Sequence, residues 1–283
     1  MREKRFRLIS DDVDYDLWCG PADNGPVYRD RLQYDCSFTW DKGDGESNNQ
    51  GIHEIDVARW LLGEPGLPRR TISIGGRFTF HDAGDVPNTQ IIYYDFPTAP
   101  VLYEVHNLRA AKESNEVPTF RGYRTDVCAH CEHGWAMIRA GHVFDHQGQR
   151  IRTFDGGEDI FENFIRAVRS GRQEDLDADV LECRLSTAVC HLGNISYRVG
   201  KPAGLGEIRE RIAEVPRFAQ MFENLVEHLR AHDVDVDAPT ITLGEWLEID
   251  GQRECIRNHR KADLANAYVQ GFYRAPYLLP DAV

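Results

Sequence analysis

The chain has 283 residues, 41% of them hydrophobic, and carries 33 basic against 46 acidic side chains for a formal charge of -13. That length and apolar content suffice for a sizeable core, while the acidic balance repels phosphate backbones and anionic lipid and so excludes nucleic acid and membrane surfaces as expected partners. No apolar run reaches the roughly 18 to 20 residues of a membrane span. The basic start, ending at Arg7, meets Asp11 and Asp12 before an apolar signal segment can form, so the expected location is the cytoplasm. Seven cysteines, an odd number without small-domain spacing, read as reduced thiols.

In chain order, the first informative stretch is WDKGDGESNNQGIHEIDVARWLLG (40–63), a glycine-rich polar loop running into an amphipathic helix over 50–62. Helical spacing puts Asn49, His53, Asp56 and Trp60 on one side and leaves Ile52, Ile55, Leu61 and Leu62 to the core, with Gly63 as the stop. Period-two or apolar runs follow at TISIGGRFTF (71–80), TQIIYYDF (89–96) and APVLYEVHNL (99–108), then a strand at 125–131 and a hairpin over 135–154. The strand at 125–131 contains Cys128, His130, Cys131 and, just beyond, His133. CxxC is half of many zinc sites, but without a second pair at ligand spacing the alternation of a strand is the expectation, with no metal.

The period then changes. Phe161, Phe164, Ile165 and Val168 mark a short helix ending at Gly171. Leu181, Leu185, Ala188, Leu192, Ile195 and Val199 mark a long one, on which His191, Asn194 and Tyr197 read as buried hydrogen-bonding residues. Phe218, Met221, Phe222, Leu225, Val226 and Leu229 mark a third. Strands followed by helices predict an α+β class: a mostly antiparallel, open-faced sheet with helices on one face. The expected division is an α+β domain over 1–205 and a helical extension over 206–283 packed on it. No G-x-G-x-x-G turn follows a β-rich run, so no dinucleotide-binding domain is expected in the chain.

The loop and helix at 40–63 resemble the substrate-domain signature of the Gfo/Idh/MocA family of sugar dehydrogenases. The family pattern is close to DxGxHxxD, and Asn49, Gly51, His53 and Asp56 stand at its four positions, with Asn49 in place of the commoner Asp. The likeness continues in DYDLWCGPA (14–22), NFIRAVRSGR (163–172), CHLGNISYRVG (190–200) and ANAYVQGFYRAPYLLP (265–280), and so extends over most of the chain; Ile160 stands where relatives often carry a histidine. In relatives, the position where this chain opens lies past the nucleotide-binding domain.

The resemblance implies the substrate-binding half of a sugar or polyol dehydrogenase, with NAD(P) as a cofactor held elsewhere, by an upstream segment or a separate nucleotide-binding subunit. Oxidising a carbinol needs a group that takes its proton while hydride leaves. His53 is the expected proton-transfer residue because an imidazole titrates near neutrality. Asn49 and Asp56 are expected to bind hydroxyls or orient that ring, and Tyr34, Trp40 and Gln50 to contact the sugar. By the same resemblance the open sheet face is the expected contact between identical subunits. Two alternatives stay open: a cofactor-independent lyase or hydrolase acting on oxidised sugars, and a non-catalytic assembly module.

Overall fold

The computed structural model describes residues 9–28, 32–157, 159–257, 260–278 and 280. Most of the basic start read above for a leader, and Leu279 of the tail, lie outside them. In chain order the elements are α1 (Tyr15–Cys19), α2 (Glu46–Asn49), α3 (Gly51–Leu62), β1 (Arg70–Gly76), β2 (Thr89–Tyr94), β3 (Val101–His106), β4 (Cys128–Cys131), β5 (Gly134–Met137), β6 (His142–Asp145), β7 (Arg150–Thr153), α4 (Ile160–Ser170), α5 (Val180–Arg198), β8 (Lys201–Ala203), α6 (Leu205–Ile212), α7 (Pro216–Arg230), β9 (Ile241–Leu243), β10 (Leu247–Asp250), β11 (Cys255–Arg257) and α8 (Ala262–Gln270). Gly63 and Gly171 end α3 and α4 in the left-handed conformation, as their positions predict. Asp159 and Asp179 cap α4 and α5 by accepting two backbone N–H bonds each.

The architecture is α+β, and every strand pair is antiparallel. The larger sheet runs β11-β10-β1-β2-β3, with β9 on β1 and β8 on β9; the smaller is the meander β4-β5-β6-β7. Cys128, His130 and Cys131 sit on β4, paired with Met137, Trp135 and Gly134 of β5. Among the described residues no group of three His, Cys, Asp or Glu could hold a metal ion. Strands β9 to β11 come from beyond residue 206, so the sheet crosses the division placed near 205 rather than stopping there.

Alternation across the pleat sends the two faces of the larger sheet into different cores. Ile92, Tyr94 and Tyr103 face Ile55, Val189 and Cys190 of α3 and α5. Ile72, Ile74, Ile91 and Tyr93, on the opposite face, pack with Ile208, Ile212, Phe218, Phe222, Leu225 and Leu229 of α6 and α7. The sequence reading left that second face open. The structure corrects it because Ile72, Ile74, Ile91 and Tyr93 on that face need cover as well, and α6 and α7 supply it. The α4 stripe is the converse: its apolar side chains are exposed rather than buried.

α5 lies close on the sheet at Gly193, where an added Cβ would stand 2.6 Å from Ile92 Cδ1 and 2.6 Å from Tyr94 Oη. A glycine inside a helix costs about 0.5–1 kcal/mol relative to alanine, less than the 1–3 kcal/mol of overpacking a filled core. Gly193→Val is therefore expected to lower unfolding free energy by about 2 kcal/mol, read as a reduced urea midpoint; an unchanged midpoint would show that the helix sits off the sheet.

A second consequence lies under α7. The His106 and His228 rings are 4.6 Å apart and those of His228 and His232 5.0 Å apart, beside Glu104, which pairs with His106. Among the described residues, His106 Nδ1 and His228 Nε2 are buried and find no hydrogen-bond partner. Burial first, then the neighbouring His106 and His232, push His228 from 6.5 down to about 4, against an opposing pull from Glu104. The unfolded chain binds the proton more readily, so this stability is complete above pH 6.5 and lost as pH falls through about 4. Urea midpoints should drop between pH 7 and 4.5, and His228→Gln should flatten that slope.

Candidate functional site

The sequence between residues 35 and 49 folds tightly: a 3-10 turn (Asp35–Phe38), a polar loop and the single turn of α2. Gly43 is required there, since a Cβ would fall 2.6 Å from Ser37 Cα and 2.8 Å from Cys36 O. With α1, this loop encloses a cleft of about 460 Å³ lined by Trp18, Cys19, Trp40, Asp41, Lys42 and Asp44, among others.

Both indoles are held from behind. Trp18 stacks on Tyr15 at 5.7 Å, and Tyr15 Oη donates to Gly25 O. Trp40 has the Arg198 guanidinium 4.8 Å from its ring and Tyr197 at 6.3 Å, and its backbone N–H donates to Asp85 Oδ1. Lys42 is nearly buried at 9% exposure, and its Nζ donates to Asp41 Oδ2 at 2.9 Å and to Asp23 O. Burial works to raise the Asp41 carboxyl, but hydrogen bonds from Lys42 and Thr39 and the Lys42 charge outweigh it and hold the group below the ordinary carboxylate range.

Asp44 ties the cleft to α5. His191 Nδ1 stands 3.1 Å from Asn48 Nδ2 and 3.3 Å from Asp44 Oδ2. It accepts from Asn48 in one tautomer and donates to Asp44 in the other. Behind it, Asn194 Nδ2 donates to Asp44 O at 2.7 Å and to Asn48 Oδ1 at 3.1 Å, while its Oδ1 accepts from Ser47 Oγ and Gln90 Nε2. Gln90 continues to Ser73 Oγ on β1. Asn194 is the buried hydrogen-bonding residue its helical position predicts; His191 is half-exposed.

Of the residues picked from the sequence, Trp40 lines the cleft; Asn49, Gln50, His53, Asp56 and Tyr34 do not. His53 is exposed on the first turn of α3. Asn49 is exposed and donates to Glu46 Oε2, and Gln50 donates to Glu54, which also pairs with Arg139 from the smaller sheet. Asp56 accepts from Ser186 Oγ at 2.6 Å in a clamp between α3 and α5. Tyr34 is 61% exposed and edges against Phe38. Asn49 ends α2 and His53 and Asp56 lie on α3, and the hydrogen-bonded side chains take different partners, Glu46 for Asn49 and Ser186 for Asp56. Sequence reasoning passed over Trp18, Asp41, Lys42, Asp44 and Asn48, although the alternation of charge and glycine in WDKGDG carried the signal.

No family model matches this chain, and no curated protein does. Among solved structures it is similar to a Klebsiella pneumoniae protein assigned as an oxidoreductase, at 17% identity and a TM-score of 0.36, over 57% of this chain and 47% of that one. It is also similar to yhhX, which carries the same assignment, at 12% identity and a TM-score of 0.31, over 53% and 48%. The chain spans about half the length of these structures.

Removing Asn194 would take a donor from Asp44 O and Asn48 Oδ1 and an acceptor from Ser47 Oγ and Gln90 Nε2. An unsatisfied buried polar group costs about 1–3 kcal/mol, so Asn194→Leu is expected to lower the thermal midpoint and loosen the 40–49 loop in amide exchange; unaltered protection of that loop would show that the network does not hold it.

Proposed function

We propose that this chain is the substrate-binding part of a sugar or polyol oxidoreductase of the Gfo/Idh/MocA type, and that the ligand occupies the cleft between Trp18 and Trp40. The observation that carries the reading is the pairing of two indoles with an ion pair between the nearly buried Lys42 and the exposed Asp41 in one cleft. Aromatic faces take the C–H faces of a sugar, while carboxylate and ammonium groups satisfy its hydroxyls. A neutral ligand also agrees with a chain of charge -13.

In this reading Asp41 accepts from ligand hydroxyls and Lys42 donates to them. His191 handles the carbinol proton: with Nδ1–H given to Asp44, its Nε2 keeps the lone pair a base requires. Neither imidazole lines the cleft itself, and His191 is chosen over His53 because its Nδ1 stands 3.3 Å from Asp44, which does. The described residues do not fit a dinucleotide. Their strands are all antiparallel, and the helices that follow a strand through glycines, α4 after β7 with Gly156 and Gly157 and α6 after β8 with Gly204 and Gly206, lack the three-glycine spacing of a phosphate cradle. The hydride acceptor, NAD(P) by the resemblance, therefore has no place in the role given to this chain, whose own residues bind, orient and deprotonate.

Titration of the chain with a panel of neutral sugars and polyols, followed by tryptophan fluorescence and calorimetry, is expected to give saturable binding. Trp40→Ala should weaken it about tenfold or more, the loss of roughly 1.4 kcal/mol, with far-UV dichroism unchanged. Binding that is absent, or indifferent to Trp40→Ala, would remove the cleft from the reading.

A further inference from the structure

Helix α4 is fixed on one side and bare on the other. Asn163 Nδ2 donates to Asp175 O and its Oδ1 accepts from Asp177 N, so the polar side of the helix is fastened to the following loop. Ile160, Phe161, Phe164, Ile165 and Val168 lie within one broad stripe of the opposite side and are 74%, 70%, 57%, 47% and 64% exposed. At about 150–250 Å² for a large aromatic side chain and less for an aliphatic one, this is on the order of 500 Å² of apolar surface on a single helix, at the upper end of what a monomer exposes without a partner.

We propose that this stripe is the contact between two copies of the chain, paired antiparallel along α4. The area supports it: a self-pairing of two such stripes covers on the order of 1,000 Å², the size at which specific interfaces begin. Charge selects the orientation. Glu162 and Arg169 are seven residues apart and therefore flank the stripe on the same side at opposite ends of the helix. Antiparallel pairing sets Glu162 of each copy against Arg169 of the other, twice by symmetry, whereas parallel pairing carries this flank of the two copies to opposite sides of the seam and leaves both charges without that partner. The surface is separate from the face of the larger sheet, which α6 and α7 occupy, and the inference is independent of what the cleft binds.

Sedimentation velocity over a concentration series is expected to show the full chain as a dimer. Phe164→Glu should weaken association about 30-fold or more, as for a central interface anchor, with secondary structure retained because the side chain is exposed. Glu162→Arg alone should weaken the dimer, and Glu162→Arg combined with Arg169→Glu should restore it. A monomer at every concentration would overturn the proposal, as would a dimer insensitive to Phe164→Glu or a double variant no tighter than Glu162→Arg.

Discussion

The seat of α5 on strands β1 and β2 is the constraint from which the rest of the molecule is built. Apolar contact alone would let the helix slide, but Ser196 pins it: Oγ donates to Glu245 O at 2.7 Å and accepts from Ser73 N at 3.0 Å, joining the helix to β1 and to the turn between β9 and β10. Gly193, one turn earlier, and Gly244 leave out side-chain atoms that would prevent that approach. Glu245 itself, 9% exposed at the side chain, gathers Arg211, Arg260 and Lys261, so the same turn anchors α6 and the start of α8. Helices on both faces of the sheet thus refer to one backbone segment.

The other end of α5 is held by a charge that cannot easily be released. Arg59 of α3 is 1% exposed, and its guanidinium donates to Ser186 Oγ, Glu182 O and Oε2, and Glu64 O. Ser186 passes the polarity on by donating to Asp56. A buried charge left unpaired costs far more than the pair contributes, so such a cluster fixes the relative setting of two helices more than it adds net stability. Asp56, which the helical wheel grouped with His53, is used up in this clamp.

What the sequence made legible follows from the size of each signal. Helices α3, α4, α5 and α7 and strands β1 to β3 were readable because each buries or presents a periodic apolar set over six or more residues, with aspartate caps and glycine stops at α4 and α5 or α3. Strands β8, β9 and β11 have three residues each, too few for a period to register, and the pairing of β9 with β8 and with β1 is wholly non-local. The cover on the second sheet face could not be read for the same reason. The 135–154 stretch read as a hairpin is three strands, since Gly141 and Gly148, both at positive φ, make two turns rather than one. At the candidate site, Trp40 was legible as a residue that lines the cleft, but the partition of polar groups was not. Helical spacing groups Asn49, His53 and Asp56, but their partners differ: Glu46, three residues away on α2, takes Asn49, and Ser186, 130 residues away, takes Asp56 in a tertiary contact that spacing does not encode.

The cleft inherits its geometry from the constraint described first. Asn194 lies on α5 between Gly193 and Ser196, so the residue that meets Ser47, Asn48 and the Asp44 carbonyl is placed by the same contacts that seat the helix. From Ser73 through Gln90 and Asn194 the hydrogen bonds run without a break from the central strand to the loop carrying Asp41, Lys42 and Asp44. A loop of glycines and charges has little apolar surface with which to hold itself, and its backbone entropy works against order. Wiring it to a buried amide on a pinned helix transfers the rigidity of the sheet to it, which is how flexible sequence can present an ion pair between two indoles in a fixed arrangement.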